Sequence, residues 1–232
     1  MAADIGFSEL SIPLWLSGGL VLGWLGLVLT VAESLYQFKH TTSEVTRKIV
    51  HIGTGNVILL AWIFGIPAWV GVGAAIVAGA IALLSYWLPI FPGINSVGRH
   101  SLGTFFYAVS IGVLIGWFWE IQQPYYAALG ILVMAWGDGL AALVGQNFGK
   151  HPYRIFGMKK SIEGTLTMFG VSYLVSTLVL SASDGAIGHI LWISVIVAAI
   201  ATGLESFSNW GFDNFSVPVG TAAAAFFLLQ AV

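Results

Sequence analysis

Pro13 to Ala32 is a run of twenty residues without a charged side chain, and the chain repeats the device from Ser101 to Trp119, Gly164 to Ser183 and Gly185 to Leu204. A helix rising 1.5 Å per residue needs about 20 apolar residues to cross the hydrocarbon of a bilayer. Only 8% of the residues are charged and 58% are hydrophobic. Eight Lys and Arg with ten Asp and Glu cannot cover the surface of a water-soluble globule of 232 residues, for which about 25% charge is usual. A disordered chain is excluded by the same numbers. The net charge of −2, with no basic field, argues against nucleic acid as a partner. There is no cysteine, which removes disulfides, thiol catalysis and thiolate-bound metal.

The remaining spans follow from turn chemistry. Ile49 to Gly98 is too long for one helix and divides at Gly65-Ile66-Pro67. Pro124 to Gly145 reads as a span interrupted by Asp138, and Phe215 to Val232 as a short last one. The expectation is an all-α, polytopic bundle of seven or eight spans forming one domain, 1–232. Lys39, Arg47, Lys48, Arg99, Lys150, Arg154, Lys159 and Lys160 then fall on one side, and Asp4, Glu9, Glu120 and Asp184 on the other. The positive-inside rule makes the basic side cytoplasmic and puts the N-terminus on the far side. With neither Lys nor Arg in the first twelve residues, the first span reads as retained rather than as a targeting signal. Gly19-x-x-x-Gly23 and Gly112-x-x-x-Gly116 read as helix-packing spacings.

Four polar clusters gather at the basic face. In Glu44-x-x-Arg47-Lys48-x-x-His51 the spacings of three, four and seven put the side chains on one helical face. Thr41-x-x-Glu44 fits a capping box, and Arg47 and Lys48 also suit plain interfacial anchors. In Gly137-Asp138-Gly139-x-Ala141-Ala142 a carboxylate sits inside an apolar run, at a cost of about 2.5–3.5 kcal/mol on insertion scales. It reads as a holder of a divalent cation or a proton acceptor, or as the end of a helix at the interface. The flanking glycines permit close approach of a ligand or of a second helix.

Lys159-Lys160-Ser161-x-Glu163-Gly164-Thr165 sets two ammonium groups beside a helix N-terminus, a ready site for phosphate. The same residues could anchor a loop to headgroups, with Glu163 favouring the helix dipole. Glu205, Asp213 and Asn214 offer hard oxygen ligands suited to Mg²⁺, or a helix stop and an N-cap. Carboxylates for a metal, cations for phosphate and a glycine-lined approach on one face are what phosphoryl transfer uses. No Walker A loop, His-Glu-x-x-His site or Gly-x-Ser-x-Gly elbow is present.

Arg47-Lys48-x-x-His51, Gly137-Asp138-Gly139-x-Ala141-Ala142, Gly157-x-Lys159-Lys160-Ser161-x-Glu163-Gly164-Thr165 and Glu205…Asp213-Asn214-x-x-x-Pro218 occur in the order seen in the polyprenol kinase family. The chain resembles its phytol and farnesol kinase branch over a motif-bearing region of 44–218. Gly139 stands where dolichol kinases more often have Thr. Gln146-Asn147 are neutral where a basic residue would precede Phe-Gly, so that stretch is not assigned to phosphate.

The resemblance implies CTP-dependent phosphorylation of a membrane-dissolved isoprenoid alcohol, most simply phytol, in a salvage step feeding tocopherol, in a bilayer that the family places in photosynthetic membranes. In that reading Lys159 and Lys160, with Arg47 and Lys48, neutralise the nucleotide. Gly137 and Gly139 let it approach. Asp138, Asp213, Asn214 and Glu205 hold Mg²⁺, and Glu163 or His51 orients or deprotonates the alcohol. A membrane cytidylyltransferase would use the same parts against the α-phosphorus, and a small transporter would use Asp138 to line a conduit.

Overall fold

The computed structural model describes residues 12–38, 41–85, 102–155, 157–183, 185–207 and 210–232. The fold is all-α, as expected, apart from one short hairpin. In chain order the helices are α1 (Leu14–Gln37), α2 (Ser43–Gly55), α3 (Val57–Ile63), α4 (Ala68–Ser85), α5 (Gly103–Phe118) and α6 (Pro124–Leu132). A π-helical turn (Val133–Asp138) joins α6 to α7 (Gly139–Phe148). Strands β1 (Pro152–Ile155) and β2 (Met158–Ser161) follow, then α8 (Ile162–Leu180), α9 (Ile187–Phe207) and α10 (Asp213–Gln230).

Among the described residues five helical stretches are long and apolar enough to cross a membrane: α1, α4, the continuous run Pro124–Phe148, α8 and α9. Helix α5 is apolar but has only 16 residues. The Gly65-Ile66-Pro67 turn separates α3 from α4, with Gly65 at φ +59° and the Ile66 N–H donating to Ala61 O at 2.9 Å. The preceding segment is not the single span expected, because it breaks at Gly55-Asn56 into two short helices. Trp136 clamps that break, its indole N–H donating to Asn56 Oδ1 at 2.9 Å. Lys39, Arg99, Asp4, Glu9 and Asp184, used in the charge argument, lie outside the described residues, as does the stretch 86–98.

The run through α6 and the π turn is the axis of the molecule. Tyr126 to Ala135 is almost wholly buried, and α3, α5, α8 and α10 pack round it. Its small residues permit this: a methyl group on Gly130 would stand 2.3 Å from the Pro218 carbonyl oxygen of α10. Phe118, Tyr126 and Phe226 close one end of this core with tilted and edge-on ring contacts 5.3–5.6 Å apart. Helix α1 sits at the periphery against α2 and α3, and most of its apolar surface faces outward. That surface suits lipid, since apolar side chains gain nothing by leaving hydrocarbon.

Candidate active site

Helix α2 starts at a Thr42 cap, whose hydroxyl accepts from the Val45 N–H at 3.4 Å. The capping residue is therefore Thr42 rather than Thr41, whose hydroxyl bonds Thr46 Oγ1 at 3.0 Å. Glu44 has no capping bond and pairs with Arg47 at 3.8 Å. Gly55 continues the face of α2 that carries Lys48 and His51, and its lack of a side chain lets the helix lie close to the molecular axis. A methyl group on Gly55 would meet Ala135 Cβ and Tyr107 Oη at 2.5 Å, and one on Gly139 would meet Ile52 at 2.7 Å.

This close approach brings Lys48 to Asp138. Their side chains form a direct ion pair between residues 90 positions apart, at 7% and 9% exposure. Burial of either charge alone is prohibitive, so each is retained by the other. One turn beyond Lys48, His51 Nε2 lies 3.8 Å from the same Asp138 oxygen and is buried with no hydrogen-bond partner. The imidazole packs on Tyr107 with ring centroids 4.4 Å apart, and the Tyr107 hydroxyl donates to His51 O at 3.5 Å. Asp138 closes the π turn. Turns of this kind recur at functional sites because they re-aim a side chain out of regular helical register.

The second ion pair comes from the hairpin, which the sequence reading treated as a loop. Pro152 pairs with Ser161, and Ile155 with Met158, leaving a two-residue connection that includes Gly157 at φ +79°. In a strand, neighbouring side chains face opposite ways. Lys159 is exposed, whereas Lys160 turns inward and bonds both the Glu205 carboxylate and, at 2.6 Å, the Glu205 carbonyl. The two ammonium groups of the doublet therefore face opposite sides of the strand. Ser161 caps α8 by accepting from the Gly164 N–H at 3.1 Å. Glu163 is directed at the hairpin: its carboxylate lies 2.7 Å from His151 Nδ1 and accepts from the His151 N–H at 3.3 Å.

Asp213 opens α10, and its carboxylate accepts from Asn214 Nδ2 at 3.4 Å. Among the described residues it has no cationic partner within ion-pair distance. Yet the charges of Asp138, Lys48, Glu205 and Lys160 all reach it, and those of Asp138 and Lys48 reach Glu205. Lys48, Asp138, Lys160, Glu205 and Asp213, from four separate stretches of sequence, thus share one electrostatic neighbourhood. Pro218, which closes the last of the four motifs, lies inside α10. Lacking an N–H, it leaves the Asn214 carbonyl, one turn earlier, without its helical donor.

Gly137 and Gly139 both face neighbouring helices. A methyl group on Gly137 would stand 2.7 Å from Met168 Sδ of α8, as Gly139 meets Ile52 of α2. Among the described residues no three His, Asp or Glu side chains stand close enough together to form a metal cage. The donor set of Asp138, Asp213 and Asn214 nonetheless suits Mg²⁺, which takes one or two carboxylates and completes its shell with water and substrate phosphates.

Two buried ion pairs in a fold with helices long and apolar enough to cross a membrane are the features of a membrane protein that keeps charge at a buried position. The chain is 54% identical over 218 residues to the phytol kinase of Synechocystis sp., covering 94% of each. It is 30% identical over 229 residues to phytol kinase 1, chloroplastic, of Arabidopsis thaliana, covering 89% of this chain and 73% of that one. With the farnesol kinase, chloroplastic, of the same plant the identity is 28% over 208 residues, 80% and 66% of the two chains. No family model matches the chain. No solved structure matches it either. The chain belongs to the phytol and farnesol kinase branch of the polyprenol kinases, and is a phosphotransferase with an alcohol acceptor.

Proposed function

We propose that the protein transfers the γ-phosphoryl group of CTP to the hydroxyl of phytol, yielding phytyl phosphate and CDP in a salvage step towards tocopherol. The observation that carries this reading is the shared neighbourhood of Lys48, Asp138, Lys160, Glu205 and Asp213. Within it each cation rests on a carboxylate. When the nucleotide binds, Lys160 and Lys48 exchange carboxylate oxygens for phosphate oxygens, assisted from the exposed side by Lys159 and Arg47. Asp138, Asp213 and Asn214, with Glu205 beside them, would hold Mg²⁺. The ion would supply positive charge to offset that of the nucleotide phosphates during transfer. Gly137 and Gly139 contribute by letting α8 and α2 come close.

The alcohol oxygen attacks the γ-phosphorus, its proton leaves to a base, and the bond to the β-phosphate oxygen breaks. His51 is the better placed of the two candidate bases. Its unpartnered Nε2 lies beside Asp138, whereas Glu163 is held by His151 and fixes the hairpin to α8. We further propose a single multi-pass domain, with the site on the cytoplasmic face or its equivalent and the N-terminus opposite, in a photosynthetic membrane.

The test is label transfer in isolated membranes supplied with phytol. CTP labelled at the γ position should place label in the lipid fraction, and CTP labelled at the α position should not. Label from the α position would instead make the protein a cytidylyltransferase. UTP and ATP serve as competing donors, and solute flux without nucleotide turnover would indicate a transporter.

A further inference from the structure

An apolar cavity of about 480 Å³ opens between α9 and α10, lined by Ile200, Gly203, Leu204, Phe207, Phe212 and Ser216. Positions 200, 203, 204 and 207 share one face of α9, and 212 and 216 one face of α10. Its volume lies within the range of about 300–1,000 Å³ usual for small-molecule sites. At one end Asp213 follows the lining residue Phe212 and stands three residues before Ser216 on the same side of α10, so the groove there adjoins one carboxylate of the site described above, whereas Glu205, next to Leu204, turns to Lys160. From there Ile200 to Phe207 runs along about 10 Å of helix toward the apolar middle of α9. Phe207 and Phe212 are exposed at its rim, where the groove opens sideways.

We propose that the isoprenoid chain of the alcohol substrate lies in this groove, hydroxyl end towards Asp213, and that Gly203 sets the bulk it accepts. The inference rests on the kinase reading above and names where its acceptor binds. Continuity with Asp213 decides the occupant, because a chain lying here delivers its alcohol to the end of the groove that adjoins that carboxylate. Each buried CH₂ contributes about 0.8 kcal/mol to apolar contact, so the groove needs no further polar group to hold the chain. Gly203 keeps it open: a Cβ there would meet nothing within 4 Å, so a larger side chain would occupy groove space without displacing the fold.

The experiment compares wild type with Gly203→Leu and Gly203→Trp in proteoliposomes, measuring KM for phytol and for CTP separately. Filling the groove should raise KM for phytol by about tenfold or more, as pocket misfits do. KM for CTP should stay within about twofold, since the nucleotide makes no use of this face. In parallel, a phytol analogue carrying a diazirine in its second isoprene unit is photolysed with the wild-type protein. Adducts should fall within 200–216 and be competed by phytol. Unchanged KM for phytol in both variants, adducts on other helices, or labelling that phytol does not compete would each overturn the proposal. A wild-type protein that forms no phytyl phosphate from any nucleotide would instead refute the kinase reading.

Discussion

Removing one half of the Lys48–Asp138 pair should cost far more than removing both. In Lys48→Met the Asp138 carboxylate is left at 9% exposure with no cation bonded to it. Breaking a buried pair from one side costs about 3–5 kcal/mol, because the survivor keeps its desolvation penalty and loses its compensation. For a chain of this size each kcal/mol lowers Tm by about 2–4 °C on soluble-domain scaling, so a loss of roughly 6–20 °C is expected. Asp138→Leu strands the Lys48 ammonium and should cost a similar amount. The double variant Lys48→Met/Asp138→Leu leaves two apolar side chains of comparable volume and should recover most of that loss. The double-mutant cycle then gives a coupling of several kcal/mol. The assay is thermal unfolding of the detergent-solubilised protein, followed by tryptophan fluorescence. Phytol phosphorylation should fall at least about a hundredfold in all three variants, including the stable one. Single variants as stable as wild type, or a double variant as damaged as the sum of the singles, would refute the account of a mutually dependent buried pair. A double variant that still phosphorylates phytol would remove both residues from the reaction.

The hairpin geometry predicts that Lys160→Ala raises KM for the nucleotide far more than Lys159→Ala, by a ratio of about tenfold or greater in initial-rate kinetics. Equal effects would mean that the two lysines act together. Gly139→Ala should force α2 away from the axis at a cost of about 1–3 kcal/mol and reduce activity, and Ile52→Ala in the same chain should restore both, as read by Tm and turnover. Restoring the helical donor with Pro218→Ala should raise the Mg²⁺ concentration needed for half-maximal rate, measured by titration after chelation. An unchanged requirement would show that the Asn214 carbonyl has no part in holding the ion. Glu163→Gln, which keeps an acceptor for the His151 N–H, should leave turnover within about tenfold of wild type, whereas loss on the roughly hundredfold scale expected of Asp138→Leu would make Glu163 a reacting group.

Much of this was visible in the chain itself because charge is so scarce in it. Asp138 stands out as a carboxylate in an apolar run, and Lys48 and His51 fall on one helical face by spacing alone. What the spacing could not reveal is that those two lines converge, since a pairing across 90 residues depends on which small residues let two helices touch. Gly55 and Gly139 carry that information; Gly139 is marked by its place beside Asp138, but nothing in the spacing names α2 as the helix it admits. The hairpin escaped for another reason. Its strands are four residues each, too short for alternation to show, although a glycine between Arg154-Ile155 and Met158-Lys159 was a legible turn signal. The break at Gly55-Asn56 had its own signal in Gly53-Thr54-Gly55-Asn56, which the charge-free run from Ile49 to Gly98 obscured.

The π turn at Val133–Asp138 holds one residue more than a regular turn would need. Deleting one of residues 133–137 would close the turn into regular helix and withdraw the spare residue that tips Asp138 towards Lys48, leaving both charges buried and apart. The irregular backbone and the ion pair therefore stand or fall together. Shortened variants in this segment should be both less heat-resistant and catalytically silent.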